Sequence, residues 1–212
     1  MPHRLIPACL LVLPIAAQAE TFSADVWADN WFEMHIDGEV VATDSVPITT
    51  ERSFNKESFT FEAERPFTIG LIAKDFKEND TGLEYIGTRR QQMGDGGVIL
   101  QIRDGDGAIA AVSDAAWQCK VIHTAPLDKS CEDVADPVAG EGACGFAAED
   151  APEGWDLAEF DASDWPAASV FSAAEVDPKF GYTEVDWTPE AQFIWGPDLE
   201  QSNTVLCRLT VN

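Results

Sequence analysis

Positive charge is what this chain has least of. Its 212 residues hold 13 Lys and Arg against 38 Asp and Glu, a formal net charge of −25. A surface that acidic repels polyphosphate and anionic headgroups, which excludes nucleic acid and anionic membrane surfaces as partners. Histidine and methionine are scarce at three residues each, and tyrosine at two. The familiar enzyme signatures are also missing: there is no GxSxG elbow, no HExxH pair and no phosphate-binding glycine loop. No long segment shows a 3.6-residue period, and nothing repeats at a fixed interval. Apart from the N-terminus, no apolar run could span a bilayer, so membrane insertion is not expected.

What is present begins with an address. Residues 1–4 are short and basic, residues 5–17 are apolar, and Ala17-Gln18-Ala19 fits the small-x-small rule of signal peptidase. Cleavage after Ala19 is expected, leaving residues 20–212 as a single secreted or periplasmic domain. Cys9 leaves with the signal. The remaining four, Cys119, Cys131, Cys144 and Cys207, are an even number in an oxidising compartment and read as two disulfides. Three pairings are possible. Cys131–Cys144, closing the acidic Ala/Gly/Pro-rich loop of residues 128–154, with Cys119–Cys207 joining two strands, is favoured. Zinc is excluded by the lack of any CxxC spacing. An apolar content of 45% and seven tryptophans argue for a packed core.

Period-2 alternation dominates the rest, so strands dominate. Phe32, Met34 and Ile36 share one face of a strand at residues 31–36, and Trp31, Glu33 and His35 the other. Asp37-Gly38 turns the chain into a return strand at residues 39–42. Further strands are expected at residues 58–61, 67–74, 97–103, 109–112, 117–123 and 204–211. Residues 164–172 admit one short helical turn. Residues 75–97 are polar, with glycines at 82, 87, 94, 96 and 97. Many short strands with glycine-rich connections predict an all-β antiparallel sandwich with long polar loops.

The order of several motifs resembles galactose-binding-like domains, the modules that accompany many bacterial glycosidases. Ala28-Asp29-Asn30-Trp31-Phe32-Glu33-Met34-His35-Ile36-Asp37-Gly38 is similar to their "ADN-x-aromatic" hairpin. Residues 97–102 with the turn Asp104-Gly105-Asp106-Gly107 look like their next signature. Asp114-Ala115-Ala116-Trp117, Gly154-Trp155, residues 160–168, Phe193-Ile194-Trp195 and residues 206–211 follow in the same order. Asp37 stands where that family has Asn, and the loop stapled by cysteines is an addition. The resemblance implies a jelly-roll sandwich, often with a sugar or other surface ligand, and it implies that Trp117, Trp165 and Trp195 pack inside. It carries over no defined site.

Function candidates therefore come from residue chemistry. The first is a non-catalytic module that binds carbohydrate or another surface ligand through the polar insertion. Arg89, Arg90 and Gln92 would supply polar contacts, and Trp31 or Tyr85 a stacking face. The paired arginines suggest an anionic sugar. The second is an exported metal protein with His35 and His123 as copper ligands. That inventory is similar to the exported copper-binding proteins of methane-oxidising bacteria. Calcium on Asp104 and Asp106, or on Asp75, Glu78, Asn79 and Asp80, is a related candidate. The third is a small glycoside hydrolase, which needs only two placed carboxylates. No catalytic residue can be named from sequence.

Overall fold

A computed structural model describes residues 19–52 and 55–212. The expected signal segment lies outside the described residues, apart from Ala19. Among the described residues fourteen strands follow in order. They are β1 (Glu20–Asp29), β2 (Trp31–Ile36), β3 (Glu39–Thr43), β4 (Asn55–Ala63), β5 (Phe67–Lys74), β6 (Leu83–Glu84) and β7 (Gln92–Met93). Then come β8 (Gly97–Arg103), β9 (Ile109–Val112), β10 (Gln118–Thr124), β11 (Ala147–Ala148), β12 (Ser169–Phe171), β13 (Phe193–Trp195) and β14 (Ser202–Val211). The expected strands at 67–74, 97–103 and 109–112 have the bounds read from the sequence.

Two antiparallel sheets form the sandwich. One runs β12-β13-β8-β1-β4 with β9 beside β8; the other runs β11-β10-β14-β5-β2-β3. Alternation explains which side of each strand is inside. Phe22, Ala24, Val26 and Ala28 of β1 meet Phe32, Met34 and Ile36 of β2 and Ile69 and Leu71 of β5 in one core, with Trp117 and Trp195 fully enclosed. An extended strand turns successive side chains to opposite faces, so this core follows directly from the period-2 pattern.

Both outer faces are covered as well. Trp155, Phe160, Ala162 and Trp165 lie across β14 and β5, packed on Leu206 and Ile72. Arg208 holds this strap by donating to the backbone carbonyls of Trp155 and Leu157, the latter at 2.9 Å. Gly70 of β5 makes the approach possible, because a Cβ there would sit 2.8 Å from Asp156 Cβ and 3.1 Å from the Trp155 ring. Gly70→Ala should therefore destabilise the chain by about 1–3 kcal/mol through overpacking. Urea denaturation checks this, and an unchanged midpoint would mean that the strap contributes nothing. On the other sheet Trp27, Ile99, Val176 and Phe193 form a second outer cluster with Tyr182 and Trp187. The short helix falls at Ala173–Val176, after the expected residues 164–172; Ser172 and Glu175 close a capping box there. Residues 169–171 are strand β12 instead.

Both favoured disulfides are formed, Cys119–Cys207 and Cys131–Cys144. The first links directly opposed residues of β10 and β14. Such bonds mark a chain that folds in an oxidising compartment. Among the described residues no helix is long and apolar enough to cross a membrane.

Candidate functional site

A cavity of about 680 Å³ opens where β1 ends and β8 begins. Its wall is assembled from separate stretches of chain. Asp29 closes β1, and Glu51 and Arg52 follow β3. Glu84, Tyr85, Arg90 and Gln92 come from the β6–β7 hairpin, Asp95 precedes β8, and Lys179 and Phe180 come from the outer segment on the first sheet.

Each wall has a support. The β6–β7 hairpin pairs Leu83 with Met93 and Glu84 with Gln92. Leu83 and Met93 turn to the Cys131–Cys144 bridge and pack on it, so their neighbours Glu84 and Gln92 turn to the cavity. Gln91 ties the hairpin loop to the stapled loop, donating to the carbonyls of Glu132 and Val134, both at 2.8 Å. On the opposite wall Trp27 Nε1 donates to the Phe180 carbonyl at 2.8 Å and fixes the segment carrying Lys179 and Phe180. Tyr85 has φ 51°, a left-handed backbone that a bulky aromatic rarely adopts. Arg90 lies over its ring at 5.4 Å. Strain of this kind concentrates at functional positions.

The electrostatics are dominated by crowded acids. Burial, reinforced by Asp95, raises the Glu84 carboxyl to about 8 against an ordinary value of 4.5. Burial, with Asp95 and Glu84 adding repulsion, raises the Asp29 carboxyl well above the usual carboxylate range. Asp75, behind the hairpin, is raised by burial in the same way; Asn203 Nδ2 donates to one of its oxygens at 3.3 Å, and the other, Oδ1, has no partner. Asp95 is raised too, chiefly by desolvation, although it stands at the exposed mouth of the cavity. Three cations, Arg52, Arg90 and Lys179, share the wall with the carboxylates of Asp29, Glu51, Glu84, Asp95 and Glu184.

The sequence-derived candidates divide sharply. Tyr85, Arg90 and Gln92 line this cavity. Arg89 is exposed and does not line it. Trp31 is half-buried outside it, with Lys74 Nζ 4.8 Å from its ring centre. His35 and His123 are not brought together. Between them β14 and β5 intervene, and the paired registers leave the two four residues out of step, roughly 20 Å apart. Each ring is occupied locally. His35 Nδ1 is 2.7 Å from Asp156 and Nε2 3.1 Å from Glu33. His123 lies 3.1 Å from Asn203 Oδ1 and 3.2 Å from Asp80, and burial lowers its pKa. A copper ion shared by these two histidines is incompatible with that separation, because ligand nitrogens must come within about 2 Å of one metal.

The calcium candidates are likewise absorbed by local structure. Asp104 Oδ1 accepts the backbone N–H groups of Asp106 and Ala108 at 3.1 and 2.9 Å, so this carboxylate closes the hairpin turn, with Asp106 exposed beside it. In the other set Asn79 Oδ1 caps the N–H of Thr81 at 2.8 Å, Asp80 pairs with Lys77, and Asp75 is the buried acid already described. Among the described residues, no group of three or more His, Cys, Asp or Glu could hold a metal ion. Asp29, Glu84 and Asp95 were invisible as a set in sequence because carboxylates are everywhere in this chain. The only local signal was Asp29 placed between the apolar end of β1 and the start of β2. No family model, no curated protein and no solved structure matches the chain.

Proposed function

We propose that this is an exported, non-catalytic binding protein whose ligand is a carbohydrate held in the cavity between Tyr85, Glu84 and Phe180. One observation carries the reading. The cavity combines aromatic faces, Tyr85 and a 71%-exposed Phe180, with acceptor carboxylates and the donors Arg90 and Gln92. Sugars present apolar C–H faces and rings of hydroxyls, and such a mixture suits both. The motif order resembling galactose-binding-like domains and the two disulfides agree with an exported sugar-binding module. Tyr85→Ala should lower affinity for the best ligand of a glycan array about tenfold, since the stacking face of the cavity is lost. Unchanged binding would move the site elsewhere, and an array on which wild type binds nothing would end the carbohydrate reading.

Hydrolysis of a glycosidic bond has one observation in its favour. Glu84, raised to about 8, keeps a proton at neutral pH beside other carboxylates, as a general acid must. Incubating the array ligands with the chain and looking for cleavage separates the two readings.

A further inference from the structure

The acidic side of the cavity holds more than a neutral sugar needs. Asp29 is 3% exposed yet lines the cavity, and no described residue donates a hydrogen bond to its carboxylate. Its oxygens are not wholly enclosed and face the cavity, where a ligand can supply the missing donor. Glu84, 2% exposed, accepts a single side-chain hydrogen bond, from Gln92 Nε2 at 3.1 Å, and retains capacity for more. The charged groups acting on these two are Asp95, Glu51 and Lys179. Lys179 is engaged by Asp177, and Arg90 is stacked over Tyr85.

Resting on the carbohydrate reading above, we propose that the cavity selects a sugar carrying a protonated primary amine, whose ammonium donates to Asp29 and Glu84 while its ring packs on Tyr85. The chemistry fits on two counts, once the ammonium's charge has favoured release to water of the protons that burial holds on these two carboxyls. An ammonium offers three donors and no acceptor, and ionised carboxylates accept only, whereas a hydroxyl both donates and accepts. The positive charge also offsets the repulsion among carboxylates that burial has crowded together, which a neutral hydroxyl cannot do. An anionic sugar, the ligand that the paired arginines suggest from sequence, brings these carboxyls no such compensating charge.

Acetylation of the amine is the discriminating change, because it removes the charge and two of the three donors. Calorimetry on the full chain with three tetrasaccharides, of glucosamine, of N-acetylglucosamine and of glucose, reads the preference directly. The glucosamine oligomer should bind at least about tenfold more tightly than the other two. Raising sodium chloride should weaken that sugar alone. Asp29→Asn and Glu84→Gln keep side-chain size and should each abolish the preference. Because a variant can misfold, the salt titration on wild type stands as an independent check. Equal affinity for all three sugars overturns the amine inference and leaves carbohydrate binding intact. Binding of none overturns both, so the two failures are distinguishable. Retained preference in both variants would also overturn the assignment to Asp29 and Glu84.

Discussion

Removing the Cys119–Cys207 bridge will lower stability by about 4–5 kcal/mol, and removing Cys131–Cys144 by about 3 kcal/mol. The two bonds span 88 and 13 residues of sequence. A crosslink restricts the unfolded chain more when it closes a longer loop, which sets the order. Paired Cys→Ala variants, unfolded in urea, measure both values. The effects should differ in kind as well as size. Cys119 and Cys207 sit between two strands already in register, so their loss leaves the cavity intact in the folded state. Cys131 and Cys144 form the floor under Leu83 and Met93, so their loss should also weaken ligand binding by loosening the hairpin that carries Glu84, Tyr85 and Gln92. An equal or reversed order of stability would show that loop closure is not the governing factor.

Stability should fall between pH 5 and pH 8, with buried acids as the cause. Glu84 binds its proton more tightly when folded, about 8 against 4.5. Between those values the folded chain holds more protons than the unfolded one, so stability declines as pH rises and the loss is complete above the folded value. A shift of that size corresponds to about 5 kcal/mol, which water in the open cavity reduces to about 2–3 kcal/mol. Asp44, pushed up to about 6 chiefly by burial, adds the same sign over a lower range. Asp29 and Asp75 act likewise. Glu84→Gln carries no charge at any pH and should flatten the profile, gaining most over wild type at pH 8. Denaturant midpoints at pH 5, 6.5 and 8 for both proteins test it; a wild-type profile that rises with pH would refute the account. A cationic ligand should reverse part of this trend, because it stabilises the ionised carboxylates.

The alternation of Phe32, Met34 and Ile36, the Asp37-Gly38 turn and the apolar run of β5 made the sandwich legible, because strand geometry ties side-chain direction to sequence parity. The cysteine pairing was legible for a related reason: Cys119 and Cys207 fall on strands, Cys131 and Cys144 flank one loop. No strand before Trp31 is among those expected from the sequence. Phe22, Ala24, Val26 and Ala28 carry the same alternation in β1, but they stand directly behind the expected cleavage site. The site was half legible. Tyr85, Arg90 and Gln92 stood out as a paired-basic, glycine-flanked stretch in an acidic chain. Asp29, Glu84 and Asp95 did not, since their meeting depends on the β1–β8 register and on a hairpin held by a disulfide more than 30 residues away. Lys179 and Phe180 reach the cavity through a tertiary bond from Trp27, which no local pattern announces.

Arg65 donates to Glu20 at 3.1 Å and to the carbonyl of Asn212 at 2.8 Å, fastening the start of β1 to the last residue of the chain. Asp29 lies at the other end of that strand, about 30 Å away for nine steps of extended chain. A fluorophore or surface anchor attached at Asn212 would therefore stand well clear of the cavity, with its mouth free.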